Sequence, residues 1–142
     1  MKTALFICTH NSARSQIAEG LANSLYSSVL TAKSAGTKPS MVHPLAMRVM
    51  AELDIDISGQ RSKSLDMFEG QDFDYVVMVC SNAAETCPFF PGGRVQIHHA
   101  FDDPASVDGT EEEKLRAFRK SRNQINKWII DNLVLSNKKG VA

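Results

Sequence analysis

Short apolar runs alternate along this chain with stretches in which apolar residues recur at helical spacing. Ala4 to Cys8 contain no polar residue, the pattern of a strand buried on both faces. From Ala13 onward Ile17, Leu21 and Leu25 recur every four positions with Ala18 and Ala22 beside them, which predicts a helix with Ser12 as its cap. A second strand is expected over Leu30 to Ser34, ended by Gly36. Pro44 suits the first turn of a helix whose apolar face is Leu45, Val49, Met50 and Leu53. The stretch "SGQRSKSLDMFEG" reads as a turn and a short helix, Tyr75 to Val79 as the clearest buried strand, and Arg94 to His98 as a fourth, weaker strand after the turn "PGG". A long amphipathic helix follows. Thr110 and Glu113 form its capping box, and Leu115, Phe118, Ile125, Ile129 and Leu133 its apolar face. The tail from about residue 136 is expected to be disordered.

Strands alternating with helices predict a single α/β domain over residues 1–142: three layers, with a four-stranded parallel sheet flanked by helices. The composition, 43% hydrophobic and 23% charged, is that of an ordinary globular domain. Sixteen basic and 16 acidic residues cancel, so neither nucleic acid nor an anionic membrane is an expected partner, and any anion site must be local. No apolar run approaches the ~20 residues that span a bilayer. "MKTALFIC" gives way at once to "THNSARSQ", too short an apolar core for a signal peptide, so a cytoplasmic protein is expected. Three cysteines in a reducing compartment point to chemistry, a metal or inert packing rather than a disulfide frame.

The chemistry concentrates in "CTHNSARS", where Cys8 closes the first strand and Arg14 opens the first helix. A loop entering a helix points backbone N–H groups inward, and the helix N-terminus adds partial positive charge. Arg14 adds a planar fork that matches a tetrahedral oxyanion. The same field favours the thiolate of Cys8. Thr9, His10, Asn11, Ser12, Ala13, Arg14 and Ser15 are therefore the expected oxyanion-binding loop. The small side chains of Ser12, Ala13 and Ser15 let the backbone wrap closely, and Ser12 or Ser15 is placed to hydrogen-bond the sulfur. The competing reading is a core cysteine and an unrelated surface arginine.

Cys80 ends the "YVVMV" strand much as Cys8 ends "ALFI". If those strands are neighbours their ends lie about 4.8 Å apart, near the ~4.4–6.8 Å between Cα atoms that a disulfide needs. Cys87 follows seven residues on. A helical separation of that length, about 10.5 Å, is too long for a disulfide, so joining Cys80 to Cys87 requires the segment to unwind or loop out, which Pro88 helps. Residues 80 to 92 then form a redox-dependent flap. Alternatively both cysteines are buried and structural, or they bind zinc with His98 and His99, although the spacing matches no common zinc pattern. No resident metal or cofactor is expected. His10 and His43 read as structural or solvated. In "AFDDPAS" Asp103, fixed by Pro104, is the candidate general acid, with Asp102 as the fallback.

With "CTHNSARSQIAEG", "SAG", "IDIS", "VCSNAAETCP" and "FDDPA" in this order, residues 3 to 130 resemble the thioredoxin-coupled arsenate reductases, which share the fold of the low-molecular-weight protein tyrosine phosphatases. The resemblance implies arsenate as substrate, Cys8 as nucleophile, Arg14 and the loop amides as its cradle, Asn11 as a brace and Asp103 as general acid. It further implies a relay in which Cys80 attacks the Cys8–arsenic adduct and Cys87 then attacks Cys80, leaving a Cys80–Cys87 disulfide for thioredoxin. A monomer is expected. A phosphotyrosine phosphatase would need Cys8, Arg14 and Asp103 but neither Cys80 nor Cys87, and a non-catalytic oxyanion or metalloid sensor would form the disulfides without turnover. Two positions depart from the family pattern. Ala13 stands where cysteine is frequent. Some relatives bind potassium at positions matching Asn11, Glu19 and Ser34 plus an aspartate, and here that aspartate position is Lys63, whose ammonium is expected to pair with Glu19 in place of the ion.

Overall fold

The computed structural model describes residues 1–79 and 90–135. Four parallel strands, β1 (Lys2–Cys8), β2 (Leu30–Gly36), β3 (Phe73–Met78) and β4 (Gly93–His98), form one sheet in the order β2-β1-β3-β4. Among the described residues three helices accompany it: α1 (Arg14–Leu25), α2 (Pro44–Ala51) and α3 (Glu111–Ile129), the last continued by a π-helical turn over Ile130–Val134. Short 3₁₀ turns lie at Leu65–Phe68 and Pro104–Ser106. The expected α/β architecture with a four-stranded parallel sheet is the one observed.

The period-2 alternation of a strand divides β1 between two apolar clusters. Ala4, Phe6 and Cys8 face the larger one, where Ile17 and Leu21 of α1, Val49 and Met50 of α2, and Leu115, Phe118 and Ile125 of α3 meet the sheet. Leu5 and Ile7 face the other, with Phe68, Phe73, Val76 and Phe90. Because both faces are covered, β1 reads as an unbroken apolar run. The capping box of α3 forms as expected, Glu113 N donating to Thr110 Oγ1 at 3.1 Å and Thr110 N to Glu113 Oε1 at 3.4 Å. All five residues of its expected apolar face are buried.

Element ends differ where a polar residue interrupts the pattern. β3 begins at Phe73 rather than Tyr75, because Asp74 is satisfied within the sheet: Thr3 N donates to its carboxylate at 2.9 Å, and its own N–H donates to Thr3 Oγ1 at 3.1 Å. Leu25 and Leu53, expected on core faces, are 47% and 38% exposed. Leu25 is the last residue of α1, and Leu53 lies in the turn beyond α2, so neither reaches the packed interface. The expected disordered tail lies outside the described residues.

Candidate active site

Strand order reverses on either side of β1, which places its C-terminal end at the switch point where open α/β sheets bind ligands. Cys8 is there, 2% exposed and paired in register with Gly36 of β2. The loop from Cys8 to Ala13 is held from outside through its carbonyl groups. Lys38 N donates to Thr9 O at 2.9 Å, Ser40 N and Ser62 Oγ to His10 O at 3.2 and 2.8 Å, and His43 N to Ser12 O at 3.0 Å. Gln16 Nε2 donates to Asn11 O at 3.0 Å. In a trans peptide the N–H points opposite the C=O, so these contacts turn the amides of His10, Asn11, Ser12 and Ala13 away from the holding segments. The corner of the loop is Asn11, whose φ of 49° is left-handed, a conformation asparagine tolerates better than most side chains.

Arg14 closes the loop and is almost wholly buried. Its Nη1 donates to the carbonyls of Val79 at 3.3 Å and Phe101 at 3.1 Å, and Nη2 lies 3.8 Å from Asp103 Oδ2. The other carboxylate oxygen of Asp103 accepts from Ala105 N at 3.0 Å, capping the turn that Pro104 begins. A cavity of about 100 Å³ is lined by Cys8, His10, Ser12, Ala13, Arg14, Ser40, Asp103 and Ala105. It brings thiol, guanidinium and carboxyl groups together around a space suited to a small anion. Asp102, the fallback acid, faces a separate cavity beside His99, Phe101 and Trp128.

Ser12 does not cap α1. Ala13 is the N-cap and makes no side-chain capping hydrogen bond. The physical reason lies in the loop: the Ser12 carbonyl is committed to His43, and capping by its side chain would occupy helix N–H groups needed at an anion site. Ser12 lines the cavity instead, and Ser15 takes the sulfur, its Oγ 2.8 Å from Cys8 Sγ. Behind the loop lies a buried amide network that apolar periodicity does not reveal. Asn11 Nδ2 donates to Ser15 Oγ at 2.8 Å, while Asn11 Oδ1 accepts from Gln16 Nε2 and from Lys63 N, both at 2.8 Å. Gln16 is fully buried and accepts in turn from Gln60 Nε2 at 2.7 Å. The cavity residues Ser40 and Ala105 also carry no sequence signal.

Lys63 Nζ lies 3.3 Å from Glu19 Oε1, and the same oxygen accepts from Ser34 Oγ at 2.6 Å. The pairing expected from the sequence is present. With an ammonium on Glu19 and the Asn11 oxygen committed to two N–H donors, this donor set does not fit a potassium ion. Turnover of the oxyanion is accordingly expected to be the same in potassium and sodium salts at equal ionic strength, and a clear rate rise in potassium would contradict this.

His43 is structural, as expected, but it touches the site. Its Nδ1 accepts from Leu45 N at 3.1 Å and so caps α2, and its ring lies 4.7 Å from that of Phe118. Burial pushes the imidazole below its ordinary value, Asp103 pulls it up and Lys114 adds to the lowering. The unfolded chain therefore takes up the proton first as pH falls. Folding stability should decline from about pH 6.5 downward and level off once the folded chain is protonated too. His43→Asn keeps a capping side chain and should flatten that slope in urea unfolding curves recorded across the range. An unchanged slope would assign it to another group.

His10 sits at the surface with Nδ1 3.0 Å from Lys38 O. Cys80 and Cys87, Pro88 and most of the expected flap lie outside the described residues, and with them two of the four ligands of the zinc reading. Phe90, just beyond, packs against Phe73 with ring centroids 5.9 Å apart. Among the described residues no helix is long and apolar enough to cross a membrane.

A parallel sheet carrying a loop from Cys8 to Arg14 at its switch point, with an aspartate across the cavity, defines a recognisable class. The chain belongs to the low molecular weight phosphotyrosine protein phosphatase family, whose model matches residues 3–130, and within it to the arsenate reductases. It is 42% identical over 128 residues to an arsenate reductase of Halalkalibacterium halodurans, covering 90% of this chain and 92% of that one. A solved arsenate reductase in its phosphate-binding state superposes with a TM-score of 0.79 at 32% identity, over 96% of this chain and 98% of the other. A thioredoxin-dependent arsenate reductase of Corynebacterium glutamicum is more distant, with a TM-score of 0.61 at 27% identity over 91% of this chain and 62% of that one.

Proposed function

We propose that this protein reduces arsenate to arsenite in the cytoplasm, as a monomer, through Cys8, Cys80 and Cys87, with thioredoxin as the reductant. The observation that carries the reading is the small cavity in which Cys8, Arg14 and Asp103 converge, in a chain that matches arsenate reductases along nearly its whole length. The loop amides and Arg14 hold the oxyanion. The Cys8 thiolate attacks arsenic(V) and displaces one oxygen, which leaves as water after Asp103 supplies a proton. Cys80 attacks the Cys8 sulfur, and the sulfur–arsenic bonding pair stays on arsenic, which departs as arsenite. Two thiols are thereby oxidised to a Cys8–Cys80 disulfide. Cys87 attacks Cys80 and frees Cys8 as the thiolate, and the dithiol of thioredoxin reduces Cys80–Cys87 by exchange. Support for thioredoxin comes from the sequence positions of Cys80 and Cys87 and from the dependence stated for the Corynebacterium glutamicum relative.

The family match also favours a second reading, phosphate ester hydrolysis by the same Cys8, Arg14 and Asp103. Arsenate turnover with purified thioredoxin, thioredoxin reductase and NADPH separates the two. Cys8→Ser, Cys80→Ser and Cys87→Ser should each abolish turnover, while Cys80→Ser and Cys87→Ser retain any hydrolysis of an aryl phosphate. Normal arsenate turnover by Cys80→Ser and Cys87→Ser would refute the relay. A full complement of hydrolysis with no reduction by the unaltered protein would establish the phosphatase reading.

A further inference from the structure

We infer that Gln16 and Gln60 are positioning residues for the nucleophile: a hydrogen-bond chain of fixed polarity runs from Gln60 through Gln16, Asn11 and Ser15 and delivers a donated proton to the Cys8 sulfur. The inference rests on the reading of Cys8 as nucleophile and extends it to two side chains that touch no substrate.

An amide side chain has two nearly isosteric ends, so a direction is established only where a group of unambiguous sense meets it. Backbone groups do this at three points. Lys63 N–H can only donate, and it meets Asn11 Oδ1 at 2.8 Å, which turns Asn11 Nδ2 toward Ser15. The carbonyls of Asn11 and Arg61 can only accept, and they meet Gln16 at 3.0 and 2.7 Å, which makes that end Nε2 and leaves Oε1 toward Gln60. The Gln16 carbonyl, likewise only an acceptor, meets Gln60 at 3.1 Å and identifies the Gln60 end as Nε2. Every link then points the same way: Gln60 donates to Gln16, Gln16 to Asn11 and Asn11 to Ser15. Ser15 Oγ, already receiving a proton from Asn11, has its own hydrogen for Cys8 Sγ at 2.8 Å.

The consequence is chemical. A sulfur that receives a hydrogen bond from a hydroxyl is favoured as the thiolate, and donors aligned head to tail polarise one another. Burial makes the alignment matter, since Asn11, Ser15 and Gln16 are all wholly inaccessible. Gln16 also restrains the left-handed corner at Asn11 through both the backbone and the side-chain oxygen of that residue. The two glutamines thus set which way the loop's internal protons face.

The test measures the rate at which iodoacetamide alkylates Cys8 in the reduced full-length chain at neutral pH, resolved by peptide mass mapping. Ser15→Ala should slow alkylation about tenfold, the scale of a hydrogen bond to a charged group. Gln16→Met should slow it about threefold through lost polarisation. In the Ser15→Ala background Gln16→Met should have no further effect, because the last link is already cut. An equal slowing in both backgrounds would mean a general packing role and overturn the inference, as would an unchanged rate for Gln16→Met alone. Should Gln16→Met fail to fold, Gln60→Leu at the half-exposed end gives the same comparison, with about a 1.5-fold slowing expected only while Ser15 is present. Alkylation needs no arsenate, so a chain that alkylates as expected yet reduces no arsenate would refute the proposed function and leave this inference standing.

Discussion

Arg14→Lys is expected to lower kcat/KM for the oxyanion by about 10²–10³, the loss typical when one preorganised donor to a developing anion is removed. Charge alone is conserved in this substitution. The guanidinium has a planar fork that serves two backbone carbonyls, Val79 and Phe101, through Nη1 and faces Asp103 through Nη2. A lysine carries three donors on one atom and cannot span Val79 beyond β3, Phe101 in the loop after β4 and the cavity together. It would leave at least one buried carbonyl without its partner, at a cost of about 1–3 kcal/mol in stability. Steady-state rates and chemical denaturation report the two effects separately. A lysine enzyme within tenfold of the original would show that charge rather than geometry holds the oxyanion.

Gly36→Ala is expected to cost activity by about two orders of magnitude although it lies outside the loop from Cys8 to Arg14. A β-carbon at Gly36 would lie 2.6 Å from Thr9 O, 2.8 Å from Cys8 O and 2.9 Å from Asn11 N. All three are backbone atoms of the anion loop, so no rotamer change relieves them, and the loop itself must move. Displacement of an ångström at the reacting centre is enough for a 10²-fold loss, and overpacking of this kind destabilises by about 1–3 kcal/mol. The comparison variant is Gly59→Ala, where an added β-carbon meets nothing within 4 Å and no effect is expected. Equal activity of the two variants would show that β2 yields without disturbing the loop.

The fold was legible because its strands are short apolar runs covered on both faces, and because α3 announces its start with Thr110 and Glu113. Cys8 and Arg14 were legible from context, a strand ending on a thiol and a helix opening on a guanidinium. Asp103 was distinguishable from Asp102 through Pro104, which begins the turn that Asp103 caps. The first turn of α1 was not legible. Propensity assigns Ser12 to the cap, yet the loop's own hydrogen bonds put Ala13, which has no capping side chain, at that position. Gln16 and Gln60 escaped for a related reason: apolar periodicity weighs what a helix buries as hydrocarbon and is silent on buried amides whose partners come from distant segments. β3 was placed two residues late because Asp74 looks like a strand breaker until its partner Thr3 is known.

The order of strands has a consequence for biosynthesis. β1 lies between β2 and β3 in the sheet yet precedes both along the chain, so Cys8 is made before the groups that shape its surroundings: Gly36, Lys63, Val79, Phe101 and finally Asp103. At a synthesis rate of about 10 residues per second, some ten seconds separate Cys8 from Asp103 across the cavity. For the first half of that interval Asn11 lacks the Lys63 amide that holds its side-chain oxygen beside the left-handed turn. On the proposed role of Cys8 as nucleophile, the nascent chain carries this thiol without its surroundings, which are complete only when the sheet is. On that proposal the assembly of the site is a checkpoint of folding: a stalled chain that lacks Lys63 and Asp103 lacks the groups that hold the loop and face the cavity.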